Sequence, residues 1–129
     1  MAITKFYKCN HCGNVLTPLV DAGVPPFCCG EKTQLLSAGA VDAAAEKHVP
    51  VIEKDPDGHH ITVKVGSVTH PMTEEHYIQF IVVVVGNKSQ VVSLTPSDAP
   101  EAIVTVEDNT LPATAYEYCN LHGLWEASA

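Results

Sequence analysis

The sequence predicts a mainly β protein in two parts, a small metal-closed unit followed by an antiparallel β-sandwich. Three observations carry this expectation. Four of the five cysteines, Cys9, Cys12, Cys28 and Cys29, crowd into the first part of a chain of 129 residues. From Lys47 onward, short β-branched runs alternate with Gly, Pro and Asn turn signals, as strands of a sandwich do. No stretch keeps the 3.6-residue apolar period of a long helix. The expected division is a four-cysteine unit over 1–37, a linker over 38–46 and a sandwich over 47–129.

In the first unit, β-prone pieces at Lys5–Lys8, Leu16–Val20 and Thr33–Leu36 are separated by turn signals at Asn10–Asn14 and Ala22–Pro26. So short a piece cannot bury enough surface to fold alone, so a metal must close it. Gly39 to Glu46 reads as a linker with one helical turn over its alanines. Val49–Glu53 is the next strand, and Pro50 places it at an edge. Asp55-Pro56-Asp57-Gly58 turns the chain into His59–Val65, which alternates Ile and Val against Thr and Lys. His70–Glu75 is a loop. His76–Val85 is a long apolar strand turned by Gly86-Asn87-Lys88. Gln90–Thr95, Ala102–Val106 and Ala113–Tyr118 follow. About seven short strands in this region fit a sandwich of the immunoglobulin-like kind.

Composition narrows the function. Apolar residues make up 46% of the chain, enough for a real core, and the net charge is −8 from 7 basic and 15 acidic residues. No basic cluster exists to release counterions from nucleic acid or to meet an anionic membrane. The apolar run Phe80–Val85 is far too short to cross a bilayer. Met1–Lys5 lacks the apolar core of a secretory signal, so a cytoplasmic location is expected. An odd cysteine count without an export signal disfavours a disulfide scaffold.

Metal ligation accounts for the cysteines better. Cys9-x2-Cys12 with Cys28-Cys29 offers four soft sulfurs, which suit tetrahedral iron or zinc. Gly13 lets the chain turn close to the ion. Adjacent Cys28 and Cys29 must splay their side chains to share it. His11 lies inside the knuckle but is not needed for a complete shell. A zinc ribbon is the alternative. Near the other end, Cys119-x2-His122 places a thiolate and an imidazole where one tight turn brings both to a single ion. His48, His70 and His76 lie upstream with no local partner.

Taken together, these motifs carry a resemblance. Cys9-x2-Cys12…Cys28-Cys29 resembles desulforedoxin. With Glu46-Lys47-His48-Val49-Pro50-Val51-Ile52-Glu53, His70-Pro71-Met72…His76-Tyr77-Ile78 and Tyr118-Cys119-Asn120-Leu121-His122-Gly123-Leu124-Trp125, the whole chain resembles the desulfoferrodoxin family of two-iron superoxide reductases. The resemblance implies two mononuclear irons. One is held by Cys9, Cys12, Cys28 and Cys29. The other is held by His48, His70, His76 and His122 with Cys119, leaving one position open. It implies one-electron reduction of superoxide to hydrogen peroxide, a rubredoxin-like external donor and a homodimer.

Lys47 adjoins a proposed ligand and is expected to draw in superoxide and assist protonation of the product. Unit charges about 6 Å apart are worth about 3 kcal/mol at an effective dielectric near 20, and below about 1 kcal/mol in bulk water. Remote acidic charge is screened beyond about 8 Å at physiological salt. Glu46 is expected, from the resemblance, to offer a carboxylate to the ferric ion. His59 and His60 match no family ligand and read as exposed strand residues. Tyr77, Tyr118 and Trp125 read as packing around the site. Two rivals remain. One is a cupredoxin-like electron-transfer protein, which needs a methionine soon after His122. The other is a zinc-binding structural module.

Overall fold

The structure, a computed structural model, describes residues 3–129. Its first part holds five two-residue strands: β1 (Tyr7–Lys8), β2 (Val15–Leu16), β3 (Phe27–Cys28), β4 (Glu31–Lys32) and β5 (Gln34–Leu35). β1 lies between β2 and β5, and β3 pairs with β4 as a separate hairpin. A single helical turn, α1 (Ala45–His48), leads into β6 (Pro50–Lys54), β7 (His60–Val65), β8 (Ile78–Val85), β9 (Lys88–Ser93), β10 (Glu101–Thr105), β11 (Ala113–Cys119) and β12 (Gly123–Ser128).

These last seven strands make the expected sandwich. One sheet runs β10-β7-β6 and the other β12-β11-β8-β9, with every pair antiparallel. β6, with Pro50, is indeed an edge. The period-two pattern decides which side chains meet. Ile61, Val63 and Val65 of β7 face Ile78, Ile81 and Val83 of β8 and Ala113, Ala115 and Cys119 of β11 in one buried core. The opposite face of the larger sheet presents Val82, Tyr116, Tyr118 and Leu124, which bury Phe6 of the first part. Phe6 lies edge-on to Tyr116 at 5.1 Å, and Phe80 stacks on Tyr118 at 5.5 Å. This aromatic cluster ties the N-terminal unit to the sandwich.

The structure departs from the sequence reading at several elements. The helical turn takes in only the last of the alanines and runs on over Ala45–His48. It therefore carries Glu46, Lys47 and His48. β12 was not foreseen; Gly123, at φ +78°, lets the chain fold straight back on β11, pairing Cys119 with Gly123. Tyr118 does not pack around the site. Alternation along β11 turns it to the aromatic cluster, away from Cys119. Of the N-terminal stretch read for a leader, Met1 and Ala2 lie outside the described residues. No helix among the described residues is long and apolar enough to cross a membrane.

Candidate metal centre

Four chain segments converge at one end of the sandwich. α1 delivers His48, the segment after β7 delivers His70, and the approach to β8 delivers His76. The end of β11 and the three-residue turn before β12 deliver Cys119 and His122. β11 shifts register between Tyr118 and Cys119, where Cys119 pairs with Ile78. Such a bulge re-aims a side chain at a sheet end.

The donor atoms of His48, His76, Cys119 and His122 lie within 4.8 Å of one another. His70 joins them through its neighbours. Around the group, ring centroids are separated by 4.8 Å for His48–His70, 4.6 Å for His70–His76, 5.0 Å for His76–His122 and 4.9 Å for His122–His48. Adjacent planes are nearly perpendicular, while His48 and His76 stand 6.5 Å apart with planes at 28°. An imidazole bound at about 2.1 Å puts its centroid about 3.2 Å from the ion, so four around one ion stand about 4.5 Å from neighbours and about 6.4 Å across. The observed square fits one ion at its centre.

Nitrogen partners point the same way. His48 Nδ1 lies 2.8 Å from the Ala44 carbonyl and His70 Nδ1 lies 2.6 Å from that of Pro71. Each carbonyl accepts the Nδ1 proton, which leaves Nε2 as the free donor. Nε2 of His48, His70 and His76 is buried with no hydrogen-bond partner. His122 instead turns Nδ1 toward Cys119 Sγ, at 3.8 Å. Three buried orphan nitrogens are costly unless something binds them. Burial pushes His70 down to about 4 and lowers His76, so both are neutral, the ligating form, at pH 7. The charge of Lys47 contributes to the His76 shift, which places its ammonium within electrostatic reach of the ring. Burial raises the Cys119 thiol, so a cation is needed to hold it as thiolate.

Further residues brace this group, Trp125 among them as the sequence led us to expect. Asn120 ties the two ligand loops together. Its Nδ2 donates to the Glu75 carbonyl at 2.9 Å, its Oδ1 accepts the Tyr77 N–H at 3.0 Å, and its own N–H reaches the Tyr77 carbonyl at 3.2 Å. Trp125 stacks against His48 at 5.1 Å and donates Nε1–H to the His122 carbonyl at 3.0 Å. Glu117, fully buried on the Cys119 side of β11, has neither carboxylate oxygen paired, and burial pushes it up to about 9. Met72 Sδ accepts the Ile78 N–H at 3.4 Å and packs against the core. Four imidazoles and no methionine after His122 are not the donor set of a cupredoxin.

The second group lies in the N-terminal unit, where the sulfurs of Cys9, Cys12, Cys28 and Cys29 fall within 4.8 Å of one another. Cys12 and Cys28 stand 3.6 Å apart at sulfur, far too long for a disulfide. Gly13 turns the knuckle at φ +81° and Cys29 adopts φ +53°, which splays it from Cys28 to a sulfur separation of 4.0 Å. The N–H groups of Cys12 and His11 lower the Cys9 thiol to about 6, whereas the neighbouring sulfurs push Cys29 up to about 12. Four thiolates cannot share this space without a cation. His11 lies on the surface, 3.1 Å from Glu31. His59 is exposed, His60 is half-buried beside Asp57, and neither approaches either group. Glu46 and Lys47 are exposed, next to His48 on α1.

Known proteins match this chain along its length. Residues 40–128 match the desulfoferrodoxin family. A desulfoferrodoxin of Syntrophotalea carbinolica is 50% identical over 123 residues, covering 95% of this chain and 94% of its own. One of Nitratidesulfovibrio vulgaris is 47% identical over 125 residues, covering 97% and 96%. The crystal structure of the superoxide reductase from Treponema pallidum superposes with a TM-score of 0.77 at 35% identity, covering 98% of each chain. Family match, full-length relatives and the paired donor groups agree: the chain belongs to the desulfoferrodoxin family.

Proposed function

We propose that the chain is a superoxide reductase, converting one superoxide, one electron and two protons to one hydrogen peroxide. The observation that carries this reading is the square of imidazoles whose buried Nε2 atoms have no partner, closed by one sulfur. A structural relative of matching length is a superoxide reductase. His48, His70, His76, His122 and Cys119 would hold the reactive iron, and Cys9, Cys12, Cys28 and Cys29 the second. Iron at the first group would supply the electron and one open position for a small anion.

The residues do the rest. Carbonyls of Ala44 and Pro71 fix the His48 and His70 rings, and Trp125 fixes His48 from its face. Lys47 supplies positive charge at the rim, drawing in the anion and holding a proton at Nζ for the reduced product. Glu46 offers a carboxylate oxygen from the same helical turn once the electron has left. An external donor, rubredoxin-like in the family's pattern, restores it.

The coarser organisation follows the same reading. The strand pairing supports a division into 1–37, 38–46 and 47–129, since among the described residues no sheet mixes β1–β5 with β6–β12. Leu19, Val20, Val24 and Phe27 are each more than two-thirds exposed, which supports burial of the first unit against a second copy in a homodimer. Five free cysteines suit a reducing compartment, in keeping with a cytoplasmic location.

Anaerobic mixing of the reduced, iron-loaded protein with a superoxide pulse tests the activity. One peroxide per superoxide without oxygen supports reduction. Half a peroxide with oxygen means dismutation, and loss no faster than the blank removes the claim.

A further inference from the structure

The geometry points to Gly66 as a positioning residue that aims Glu46 and Lys47 at the open side of the histidine–cysteine group. This inference rests on the superoxide-reductase reading for its chemistry. Its structural content is independent of it.

α1 is one turn long and has no side-chain N-cap. Lys47 N–H donates to the Ala44 carbonyl at 3.1 Å and Val49 N–H to that of Ala45 at 2.9 Å. So short a helix does not hold its own direction. Among the described residues, neither Glu46 nor Lys47 makes a side-chain hydrogen bond or ion pair, and both are exposed. Their aim is therefore set by the backbone beneath them.

That backbone rests on the loop after β7. A Cβ at Gly66 would lie 2.7 Å from the Glu46 carbonyl oxygen, 3.0 Å from the Lys47 carbonyl carbon and 3.1 Å from the Val49 oxygen. All three are main-chain atoms, which cannot swing aside as a side-chain tip can. The next residues seize the same carbonyl. Val68 N–H donates to Glu46 O at 2.8 Å and Ser67 Oγ–H donates to it at 3.3 Å. His70 N–H returns to Val65 O at 3.0 Å, closing the loop whose last residue is itself a proposed ligand. One loop thus grips the Glu46–Lys47 peptide and positions His70, and only a residue without Cβ lets the two backbones approach so closely.

The test is Gly66→Ala in the iron-loaded full chain, beside Lys47→Ala and the double variant. The expected result is a bimolecular rate constant for superoxide reduced about tenfold, as in Lys47→Ala, with the same weakened dependence on ionic strength and unchanged iron content. The double variant should react no more slowly than the slower single one, since both act through one charge. A parent-like rate and salt dependence, or losses that multiply in the double variant, would overturn the proposal. A purely structural role would lower stability without touching the salt dependence. If Gly66→Ala does not fold, Val68→Pro removes the donor to Glu46 O from an exposed residue, with the same expected and contrary results. Amide exchange of the metal-free protein gives a reading without activity. Val68 N–H should be protected in the parent and lose at least tenfold protection in Gly66→Ala, and equal protection would overturn the proposal. If the parent itself fails to reduce superoxide, the functional reading falls and the exchange result alone decides the clamp.

Discussion

The four-cysteine group and the histidine–cysteine group invert a common expectation about reactivity. The sulfurs are the more accessible donors, with Cys12 and Cys29 exposed, whereas Cys119, His48 and His70 are buried. Yet four thiolates complete a tetrahedral shell, while five donors leave a six-coordinate ion one vacancy. Access by substrate is decided by donor number rather than by exposure. The two groups also differ in support. The cysteines sit on turns and two-residue strands, and the histidines on the rim of a sandwich whose core contains Ile61, Val63, Ile78 and Ile81 at no measurable exposure.

Metal removal should expose that difference most. A chelator should loosen residues 3–36, whose strands are too short to persist unaided, and leave the sandwich folded. Limited proteolysis would cut the first unit and spare β6–β12; equal loss of both would break the contrast. Next comes Asn120→Ala, which removes side-chain bonds on both sides of His76. Iron affinity of the histidine–cysteine group should fall about tenfold or more while the four-cysteine group is unaffected. Competition with a chelator, followed by the visible absorption of each centre, measures this.

The smallest expected effect concerns Glu117. Its folded pKa, about 9, lies above the usual carboxylate value. Between about pH 4.5 and 9 the unfolded chain has lost this proton and the folded chain keeps it, so the group makes the metal-free fold less stable as pH rises. Glu117→Gln should therefore flatten that decline, gaining more stability at pH 8 than at pH 5 in urea titrations. An equal gain at both would remove the assigned protonation.

What the sequence disclosed followed the range of each signal. Cys9-x2-Cys12 and Cys119-x2-His122 are local, so spacing alone made them ligand pairs. His48, His70 and His76 have no local partner and meet only because α1, the loop after β7 and the start of β8 end at one rim; the family resemblance supplied that convergence. The sandwich was legible through the alternation of Ile61, Val63 and Val65, whereas β3 and β4 are too short to show a period. β12 was hidden because Gly123-Leu124-Trp125 reads as the tail of a ligand loop, although Gly123 reverses the chain. Glu117 lies on a strand whose central place, between β8 and β12, is set by pairings remote in sequence. Asn120 and Gly66 act through main-chain atoms remote in sequence, which no spacing rule reports.

The most direct test compares two variants in the same superoxide pulse. Cys12→Ser with Cys29→Ser dismantles the exposed thiolate group, and Cys119→Ser removes the sulfur of the buried one. Near-parental reduction of superoxide is expected in the former and a loss of at least a hundredfold in the latter, with the four-cysteine absorption intact. Retained reduction in Cys119→Ser, or its loss in the double cysteine variant with the sandwich still folded, would contradict it.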